Sequence, residues 1–373
     1  MDLQSINTPS LILDLGRVKR NAARISDIAR RNNVRLRPHI KTHKCIEVAR
    51  IQTAGHDGAI TVSTLAEAKA FAKHGFSDIT YAVPIERGKF DECIEIVHGG
   101  AKLRLLTDDG DTVRQLDDAA GKAGIKFDVF LKIDCGTHRV GVEPETQEAV
   151  DIPRTISDSA NLIFAGILTH AGHSYDVKTV DDIKAVARHE RDVMVELAER
   201  LRSDGIEVPT VSIGSTPTIN QIDHLNGIDE VRPGNYIFFD AYQATLGSCG
   251  FEDTALTVLT AVVHRDRTRK RLVVDAGAIA LSKDCGPVGL DPSCGYGHVL
   301  DIEGSETGMR VTSLSQEHGE IQATDDATLE RFPVGSRVRI LANHSCLTAA
   351  QHSHYNVLEN GAIVDRWEIL GGW

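Results

Sequence analysis

The chain lacks the features that mark several large classes of protein. The formal net charge of its 373 residues is −12. Because proteins that bind nucleic acids present a basic face, this charge argues against a nucleic-acid partner. No apolar run approaches the roughly 20 residues of a membrane-spanning helix, and the first residues lack the apolar core of a signal peptide. We therefore predict a cytoplasmic protein without a membrane partner.

The seven cysteines are odd in number and scattered, and no Cys-x-x-Cys pair occurs. A secreted disulfide framework would need paired and clustered cysteines, so most of these thiols are expected to be buried and reduced. A Gly-x-Gly-x-x-Gly fingerprint is also missing after the first predicted strand, which argues against a dinucleotide-binding domain.

Short apolar runs alternate with longer helical patterns from about residue 10 to residue 245. The first run, Ser10-Leu11-Ile12-Leu13, is typical of a strand, and the clearest helical stretch covers residues 180–202. The number of strand–helix units is close to eight, and their alternation indicates a parallel sheet. At this chain length a closed (β/α)8 barrel fits better than an open doubly wound sheet.

The pattern changes after about residue 246, where short β-rich runs are separated by Gly, Pro and Asp. Helical periodicity nearly disappears there, which indicates an all-β region. We therefore predict an α/β protein with two domains. The barrel would cover residues 8–245, and an all-β domain would cover residues 246–373, with residues 1–7 able to complete it.

One lysine lies in a segment rich in basic side chains, because residues 37–44 read Arg-Pro-His-Ile-Lys-Thr-His-Lys. On an extended segment His39, Lys41 and His43 share one face, which at the C-terminal mouth of a barrel would look into the active site. A lysine that is partly desolvated there, near other cations, can form a Schiff base. A solvated lysine on a loop is the alternative.

Polar segments that contain glycine follow other predicted strands. Residues 212–218 and 232–236 each offer N–H groups and hydroxyls around a glycine, as a phosphate needs, although ordinary loops also fit. Arg139, after another strand, could hold an anionic oxygen of a cofactor or substrate, or satisfy loop carbonyls. Tyr175, after a further strand, could contact a cofactor ring or a substrate, or pack in the core.

His344 and Cys346 stand two positions apart, so on a strand both side chains would point to one side. Two such ligands leave room for water or substrate, which suits a catalytic zinc ion more than a structural one with four protein ligands. A core cysteine beside a satisfied histidine is the alternative.

Together these segments resemble the D-serine dehydratase family. The matching segments run in order along almost the whole chain: residues 37–44, 62–68, 134–141, 212–217, 233–240, 246–249, 316–319 and 343–346. The resemblance implies a fold-type III pyridoxal-phosphate enzyme with an alanine-racemase-like barrel, a C-terminal β domain and a homodimeric assembly.

The resemblance also implies roles for individual residues. Lys41 would be the Schiff-base lysine, Arg139 would lie near the phenolic oxygen of the cofactor, and Tyr175 would lie beside its ring or the substrate. The residues that would bind the phosphate are Gly214, Ser215, Thr216, Gly234 and Asn235. The residues that would bind Zn2+ are His344 and Cys346.

The implied reaction is the removal of water from a D-3-hydroxy amino acid, which yields a 2-oxo acid and ammonia. D-Serine, D-threonine and D-threo-3-hydroxyaspartate all fit, because they differ only beyond the β-carbon. D-Threonine and 3-hydroxyaspartate aldolases share the scaffold but typically carry His-x-Asp at the metal pair, so Cys346 favours dehydration. A non-catalytic pyridoxal-phosphate-binding protein is a further alternative, against which the C-terminal domain and the metal pair argue.

Overall fold

The computed structural model describes residues 2–372 and divides them into two compact units. The first, which we call the barrel unit, contains an eight-stranded parallel sheet, and the second, which we call the β unit, contains a nine-stranded sheet. The barrel unit is formed mainly by residues 24–41 and 49–234, and the β unit by residues 2–23, 42–48 and 235–371.

Both units are built from short strands and helices, numbered in chain order. The strands are β1 (Ser10–Asp14), β2 (Arg35–Leu36), β3 (Ile60–Val62), β4 (Asp78–Pro84), β5 (Lys102–Thr107), β6 (Phe127–Lys132), β7 (Leu162–Leu168), β8 (Val211–Ile213), β9 (Glu230–Val231), β10 (Leu256–Asp266), β11 (Arg271–Val274), β12 (His298–Leu300), β13 (Glu306–Leu314), β14 (Gly319–Gln322), β15 (Arg337–Leu341), β16 (His354–Glu359) and β17 (Ala362–Glu368). The α-helices are α1 (Leu15–Arg31), α2 (Ile46–Thr53), α3 (Leu65–Lys73), α4 (Phe90–His98), α5 (Gly110–Ala123), α6 (Glu148–Asp158), α7 (Val180–Ser203), α8 (Thr216–Gln221), α9 (Ala241–Thr245), α10 (Ala278–Leu281), α11 (Asp326–Arg331) and α12 (Ser345–Ala349). Across residues 2–372, none of these helices combines the length and the apolar character needed to cross a membrane.

The parallel sheet of the barrel unit has the strand order β2-β9-β8-β7-β6-β5-β4-β3. Its two edges meet through a parallel bridge between His39 and Thr61, so the sheet closes on itself. The Thr61 amide donates a hydrogen bond to the Pro38 carbonyl at 2.9 Å. The eight-stranded α/β barrel that the alternation predicted is therefore confirmed.

Local sequence explains why strands and helices alternate in this unit. Strands β3 and β8 are buried at every position, as expected for parallel strands that are covered on both faces. Thr64 and Thr179 cap α3 and α7, and in each case the acidic residue three positions later bonds back to the cap residue. Helix α5 ends at Gly124, whose φ of +67° is a left-handed conformation that glycine adopts without strain.

The β unit contains a second, antiparallel barrel. Its sheet has the order β11-β14-β13-β12-β15-β10-β1-β16-β17, and β10 pairs with β11 as well. The six strands from β11 to β10 therefore close into a ring, and the remaining three strands extend it. This arrangement confirms the C-terminal all-β architecture that the sequence predicted.

The first strand, β1, belongs to the β unit and not to the parallel barrel, where the pattern at residues 10–13 had placed it. It pairs antiparallel with β10 and parallel with β16. Leu11, Ile12 and Leu13 are fully buried, so both faces of the strand are covered. A continuous apolar run indicates burial on both faces, which a central strand of either sheet provides. The run alone therefore could not identify the sheet.

A network of ion pairs connects strands of the barrel unit. Asp78 on β4 pairs with Arg37 at 2.7 Å, with Arg35 at 2.8 Å and with Arg104. Arg37 is fully buried and also pairs with Glu230 at 2.6 Å. Burial raises the pKa of Asp78, but the guanidinium groups outweigh that effect and hold this pKa well below its usual range. The charged form of Asp78 therefore stabilises the folded barrel unit.

We expect Asp78→Asn to lower the free energy of unfolding by roughly 2 kcal/mol at neutral pH, because it removes charge-assisted hydrogen bonds. A carboxyl with a lowered folded-state pKa contributes its full stability above its unfolded pKa and loses it as the pH falls through the folded pKa. The difference between the variant and the parent should therefore shrink below about pH 4. Urea denaturation followed by circular dichroism measures it.

The matched control for this prediction is Asp223→Asn. Asp223 pairs with Arg188, and both side chains are more than half exposed. An exposed pair contributes little, so the control should change the free energy of unfolding by less than about 1 kcal/mol. An Asp78→Asn deficit that stays constant down to about pH 3 would contradict the assignment.

Candidate active site

Lys41 lies in a short 3-10 turn, Ile40–Thr42, and not in the extended segment that the sequence predicted. The turn buries Ile40 completely and removes the arrangement in which Lys41 and the two flanking histidines share one face. The Lys41 amide donates to His39 Nδ1 at 3.4 Å. The Lys41 side chain is exposed, whereas partial desolvation was predicted. Its amine is therefore accessible to a carbonyl compound.

Several predicted site residues lie at the C-terminal ends of neighbouring strands. The order β2-β9-β8-β7-β6 brings together the segments that carry Lys41, Gly234, Gly214, Tyr175 and Arg139. Backbone hydrogen bonds of 2.9–3.0 Å continue between these segments, from His39 to Pro233, from Arg232 to Ile213, from Thr169 to Ser212 and from Ile133 to Leu168. We call this set of five segments the strand-end cluster.

In the segment after β8, the backbone at Gly214 packs too closely against residue 232 to leave room for a side chain. Gly214 has a φ of +129°, and a Cβ atom there would come within 3.0 Å of the Arg232 amide nitrogen. The Gly214 amide donates to Glu190 at 3.1 Å, so this glycine contributes space and not a free donor. Ser215, which caps α8, and Thr216 are both buried. Their hydroxyls are the nearby polar groups suited to an anion.

A histidine of the strand-end cluster is held neutral. His170 Nδ1 lies 3.0 Å from the Gly214 carbonyl oxygen. Burial lowers the pKa of His170 to about 3, and the positive charge of Lys41 adds to the effect. A neutral imidazole that faces a carbonyl through Nδ1 carries its proton there, so Nε2 keeps a lone pair. His170 was not among the site residues predicted from the sequence.

Arg139 lies on a loop whose backbone is held by hydrogen bonds to one carboxylate. The Asp134 carboxylate accepts the amides of residues 136–138 at 2.9–3.1 Å. The Arg139 side chain is exposed. Burial lowers the pKa of Lys132 at the preceding strand end to about 8, and the charges of Arg232 and Arg139 add to that effect. The region is therefore rich in positive charge, as an anionic ligand requires.

Tyr175 and Asn235 contribute differently from the other predicted residues. Tyr175 is half-buried at the end of a 3-10 turn, Gly172–Tyr175, in the barrel unit. Asn235 belongs to the β unit, and its Nδ2 donates to Asp240 at 2.7 Å and to Ser345 Oγ at 3.0 Å. Because this side-chain amide is engaged within the β unit, a bond from Asn235 to a phosphate would come from its backbone amide.

His344 and Cys346 lie at the start of helix α12 and not on a strand as predicted. Strand β15 ends at Leu341, and His344 is the N-cap residue with an extended φ of −131°. The buried Asp240 carboxylate accepts the Ser345 amide at 3.0 Å, which stabilises this helix start. A hydrogen bond joins the imidazole of His344 to the thiol of Cys346. The structure therefore brings the predicted metal pair together.

Asp284 orients the imidazole of the metal pair. His344 Nδ1 donates to Asp284 Oδ2 at 2.9 Å, which leaves Nε2 as the nitrogen that can bind a cation. Burial lowers the pKa of His344, but the hydrogen bonds to Asp284 and to Cys346 raise it to about 11. A divalent cation that binds Nε2 must displace the proton from the imidazole, so metal binding at this pair depends on pH.

Two residues of the β unit contact the Cys346 sulfur. Its thiol donates to Thr42 Oγ1 at 3.2 Å, and Asn235 Nδ2 lies 3.6 Å away. Thr42 directly follows Lys41 in the chain, and Asn235 directly follows Gly234.

Two carboxylates, one beside the metal pair and one beside the strand-end cluster, were not predicted from the sequence. Asp284 is 60 residues away from His344 along the chain, and no spacing rule connects them. Glu190 on α7 did leave a signal, because it stands on the helical stripe that also carries Ala187 and Met194. Within residues 2–372, no group of three or more His, Cys, Asp or Glu side chains is arranged to hold a metal, so the candidate metal site offers a pair.

The chain is similar to known proteins along its whole length. Residues 13–242 match the family model of the alanine racemase N-terminal domain, and residues 255–358 match that of the putative serine dehydratase domain. A D-threo-3-hydroxyaspartate dehydratase from Delftia sp. (strain HT23) is 39% identical over 100% of this chain and 99% of that protein. A D-serine dehydratase from Dictyostelium discoideum is 36% identical over 96% and 95%, respectively.

A solved structure agrees with these matches. A D-threo-3-hydroxyaspartate dehydratase, in which one cysteine is replaced by alanine and which is in a metal-free form, superimposes with a TM-score of 0.96. It is 38% identical, and the match covers 100% of both chains. Two family models, two full-length relatives and one full-length structure thus agree with the two barrels of this chain. The chain belongs to the D-serine dehydratase family of pyridoxal-phosphate-dependent lyases, whose parallel barrel is of the alanine racemase type.

Proposed function

We propose that the chain is a pyridoxal-phosphate- and zinc-dependent dehydratase that converts a D-3-hydroxy amino acid into a 2-oxo acid and ammonia. D-threo-3-Hydroxyaspartate and D-serine are the first substrates to test, because the Delftia and Dictyostelium relatives are named for them. The observation that carries the proposal is the His344–Cys346 pair beside Asp284, in a chain that matches a dehydratase from end to end.

The residues of the strand-end cluster fit pyridoxal phosphate. An exposed lysine amine is available for the aldehyde, and the close approach at Gly214 with the adjacent hydroxyls suits the phosphate. Arg139 and the neighbouring cations suit the anionic oxygens of the cofactor or of the substrate carboxylate. We assign phosphate binding to Ser215, Thr216 and the backbone of residues 234 and 235, with Tyr175 beside the ring or the substrate.

The metal pair fits a catalytic zinc ion. One imidazole nitrogen and one thiolate are ligands that zinc prefers, and two protein ligands leave positions open for water or a substrate oxygen. Asp284 supplies the carboxylate that usually holds the other nitrogen of a ligating histidine. The donor set alone would also admit other borderline divalent metals, so metal analysis of the purified protein belongs to the test.

In the proposed reaction, Lys41 Nζ takes the proton from the α-carbon, and Arg139 holds the substrate carboxylate or an anionic oxygen of the cofactor. When bound, pyridoxal phosphate withdraws electrons from the α-carbon, and zinc stabilises charge on the departing β-oxygen. His170 is too weak a base to take the proton from Lys41, because burial lowers its pKa to about 3. Loss of water yields an enamine acid, whose hydrolysis gives the 2-oxo acid and ammonia.

Product analysis tests the proposal against its alternatives. The purified protein is loaded with pyridoxal phosphate and zinc and is offered D-serine, D-threonine and D-threo-3-hydroxyaspartate. Dehydration releases ammonia and a 2-oxo acid in equal amounts, whereas an aldolase releases glycine and an aldehyde. Absence of turnover on every substrate, despite bound cofactor, would instead indicate a non-catalytic carrier.

Metal affinity should depend on Asp284. We expect Asp284→Ala to weaken zinc binding by roughly 10- to 100-fold, because His344 loses the carboxylate that fixes its tautomer and orientation. Competition with a fluorescent chelator measures the affinity. Asp291→Ala is the control, since that carboxylate bonds to Ser293 and not to the metal pair. Unchanged zinc affinity in the Asp284 variant would remove Asp284 from the site.

We also propose that the protein is a cytoplasmic homodimer that binds no nucleic acid. The negative net charge of −12 supports the last point, since a phosphate backbone would be repelled. Light scattering coupled to size-exclusion chromatography distinguishes a dimer of 40.6 kDa chains from a monomer. A monomer that turns over substrate at full rate would contradict the dimer.

A further inference from the structure

The carboxylate of Glu190 is fully buried and has a set of partners that the proposed chemistry does not explain. It lies on α7, outside the strand-end cluster. Its Oε1 accepts the amides of Ala171 at 3.0 Å and of Gly214 at 3.1 Å, and its Oε2 accepts the Thr218 hydroxyl at 2.9 Å. One side chain thus joins the segments that follow β7 and β8.

These three hydrogen bonds hold residues that surround the predicted phosphate site. Thr218 Oγ1 accepts the Ser215 amide at 3.2 Å, so the bond to Glu190 fixes the hydroxyl that holds the Ser215 backbone. The Gly214 carbonyl accepts from His170, and Ala171 is the residue after His170. Glu190 therefore fixes both ends of the His170–Gly214 hydrogen bond as well as the start of α8.

The charge of Glu190 suits a positioning role and not direct binding. A carboxylate accepts hydrogen bonds and repels an anion, so it cannot itself hold a phosphate. Its charge is balanced by the three donors and by the nearby guanidinium of Arg232. An ionised group is costly to bury unless its hydrogen bonds are satisfied. Breaking any bond to this buried carboxylate is therefore unfavourable, and its partners are held in fixed positions.

We infer that Glu190 is a positioning residue that preorganises residues 214–218 for the phosphate of the cofactor. The inference rests on the proposed function, because it assumes that this segment binds the phosphate. It differs from a purely structural role in one measurable respect. Loss of a purely structural residue would weaken the binding of all ligands alike. Loss of Glu190 should weaken the binding of pyridoxal phosphate more than that of pyridoxal, which lacks the phosphate.

The test compares the dissociation constants of pyridoxal phosphate and pyridoxal, measured by absorbance titration of the cofactor-free protein. We expect Glu190→Ala to weaken pyridoxal phosphate binding about 10-fold or more, because two amides and a hydroxyl lose their acceptor. Pyridoxal binding should change by less than about twofold. Glu190→Gln keeps one acceptor oxygen for the two amides, so its loss should be intermediate.

Glu67→Ala is the matched control. Glu67 is an equally buried carboxylate that accepts two backbone amides, at 2.7 and 3.3 Å, after strand β3. Its loss should lower thermal stability without changing the ratio of the two dissociation constants. A Glu190→Ala protein in which both ligands weaken equally, or neither weakens, would overturn the inference.

Two further outcomes keep the inference separate from the proposed function. If the parent binds neither ligand, the proposed function fails before Glu190 is tested. If Glu190→Ala does not fold, Thr218→Val removes the hydroxyl between Glu190 and Ser215 while keeping the side-chain shape. Thr218→Val should then weaken pyridoxal phosphate selectively, and unchanged binding of pyridoxal phosphate would overturn the inference.

Discussion

Lys41→Ala is expected to abolish covalent attachment of pyridoxal phosphate and to lower turnover at least about 1,000-fold. The expected loss is large because one amine has two tasks in the proposed reaction, attachment of the cofactor and removal of the α-proton. Borohydride reduction followed by peptide mass spectrometry detects the attachment. Ammonia release measures turnover. The phosphate-binding residues remain, so the variant should still bind the cofactor reversibly.

Lys44→Ala is the control for this experiment. Lys44 lies three positions from Lys41, and its backbone carbonyl accepts the Leu370 amide, which the substitution leaves in place. The control should keep both the attachment and the turnover. A Lys41→Ala protein that is still labelled by borohydride at another lysine, with normal turnover, would remove Lys41 from the site. The buried Lys132 would then be the next candidate, since its pKa is lowered to about 8.

The fold was predictable where local pattern and burial carry the same information. Strands such as β3 and β8 are short, apolar and buried on both faces, and capped amphipathic helices separate them. These signals lie within one element, so the sequence alone predicted a closed parallel barrel and a C-terminal β domain. Membership of β1 depends on pairing with β10 and β16, which lie more than 240 residues away in the chain. A local pattern cannot encode that choice.

The candidate site was predictable as a set of residues and less so as a geometry. Lys41 and the metal pair were expected on extended segments, because a spacing of two fits one face of a strand. A 3-10 turn that buries Ile40 and a helix start that Asp240 caps replace both expectations. The side chains of His344 and Cys346 still meet, because the extended His344 precedes the first helical turn.

Residues that support the site from a distance were the hardest to predict. Asp284 acts on His344 through a contact between segments that are distant in sequence, and its own segment has no distinctive pattern. Glu190 did leave a signal in the sequence, because it is an acidic residue on the otherwise apolar face of α7. It stands at helical spacing from Ile183, Ala187 and Met194. An ionisable residue at such a position needs a buried hydrogen-bonding partner, so it predicts a buried polar cluster even before the partner is known.

Cys346→Ala is expected to lower bound zinc from near one per chain to a small fraction and to lower dehydration roughly 100-fold or more. The substitution removes one of the two predicted metal ligands. Without a Lewis acid, hydroxide is a poor leaving group from the β-carbon. Plasma emission spectroscopy measures the metal, and ammonia release measures turnover. Cofactor attachment at Lys41 should persist, because it requires the lysine and not the thiol.

Cys285→Ala separates this effect from general loss of a thiol. Cys285 is exposed and immediately follows Asp284, so it is the thiol outside the pair that could most easily recruit zinc nonspecifically. The control should keep its zinc and its turnover. Normal zinc content and turnover in Cys346→Ala would exclude the metal pair from the reaction. Loss of zinc with unchanged turnover would separate metal binding from catalysis, and dehydration would then depend on Lys41 and the cofactor alone.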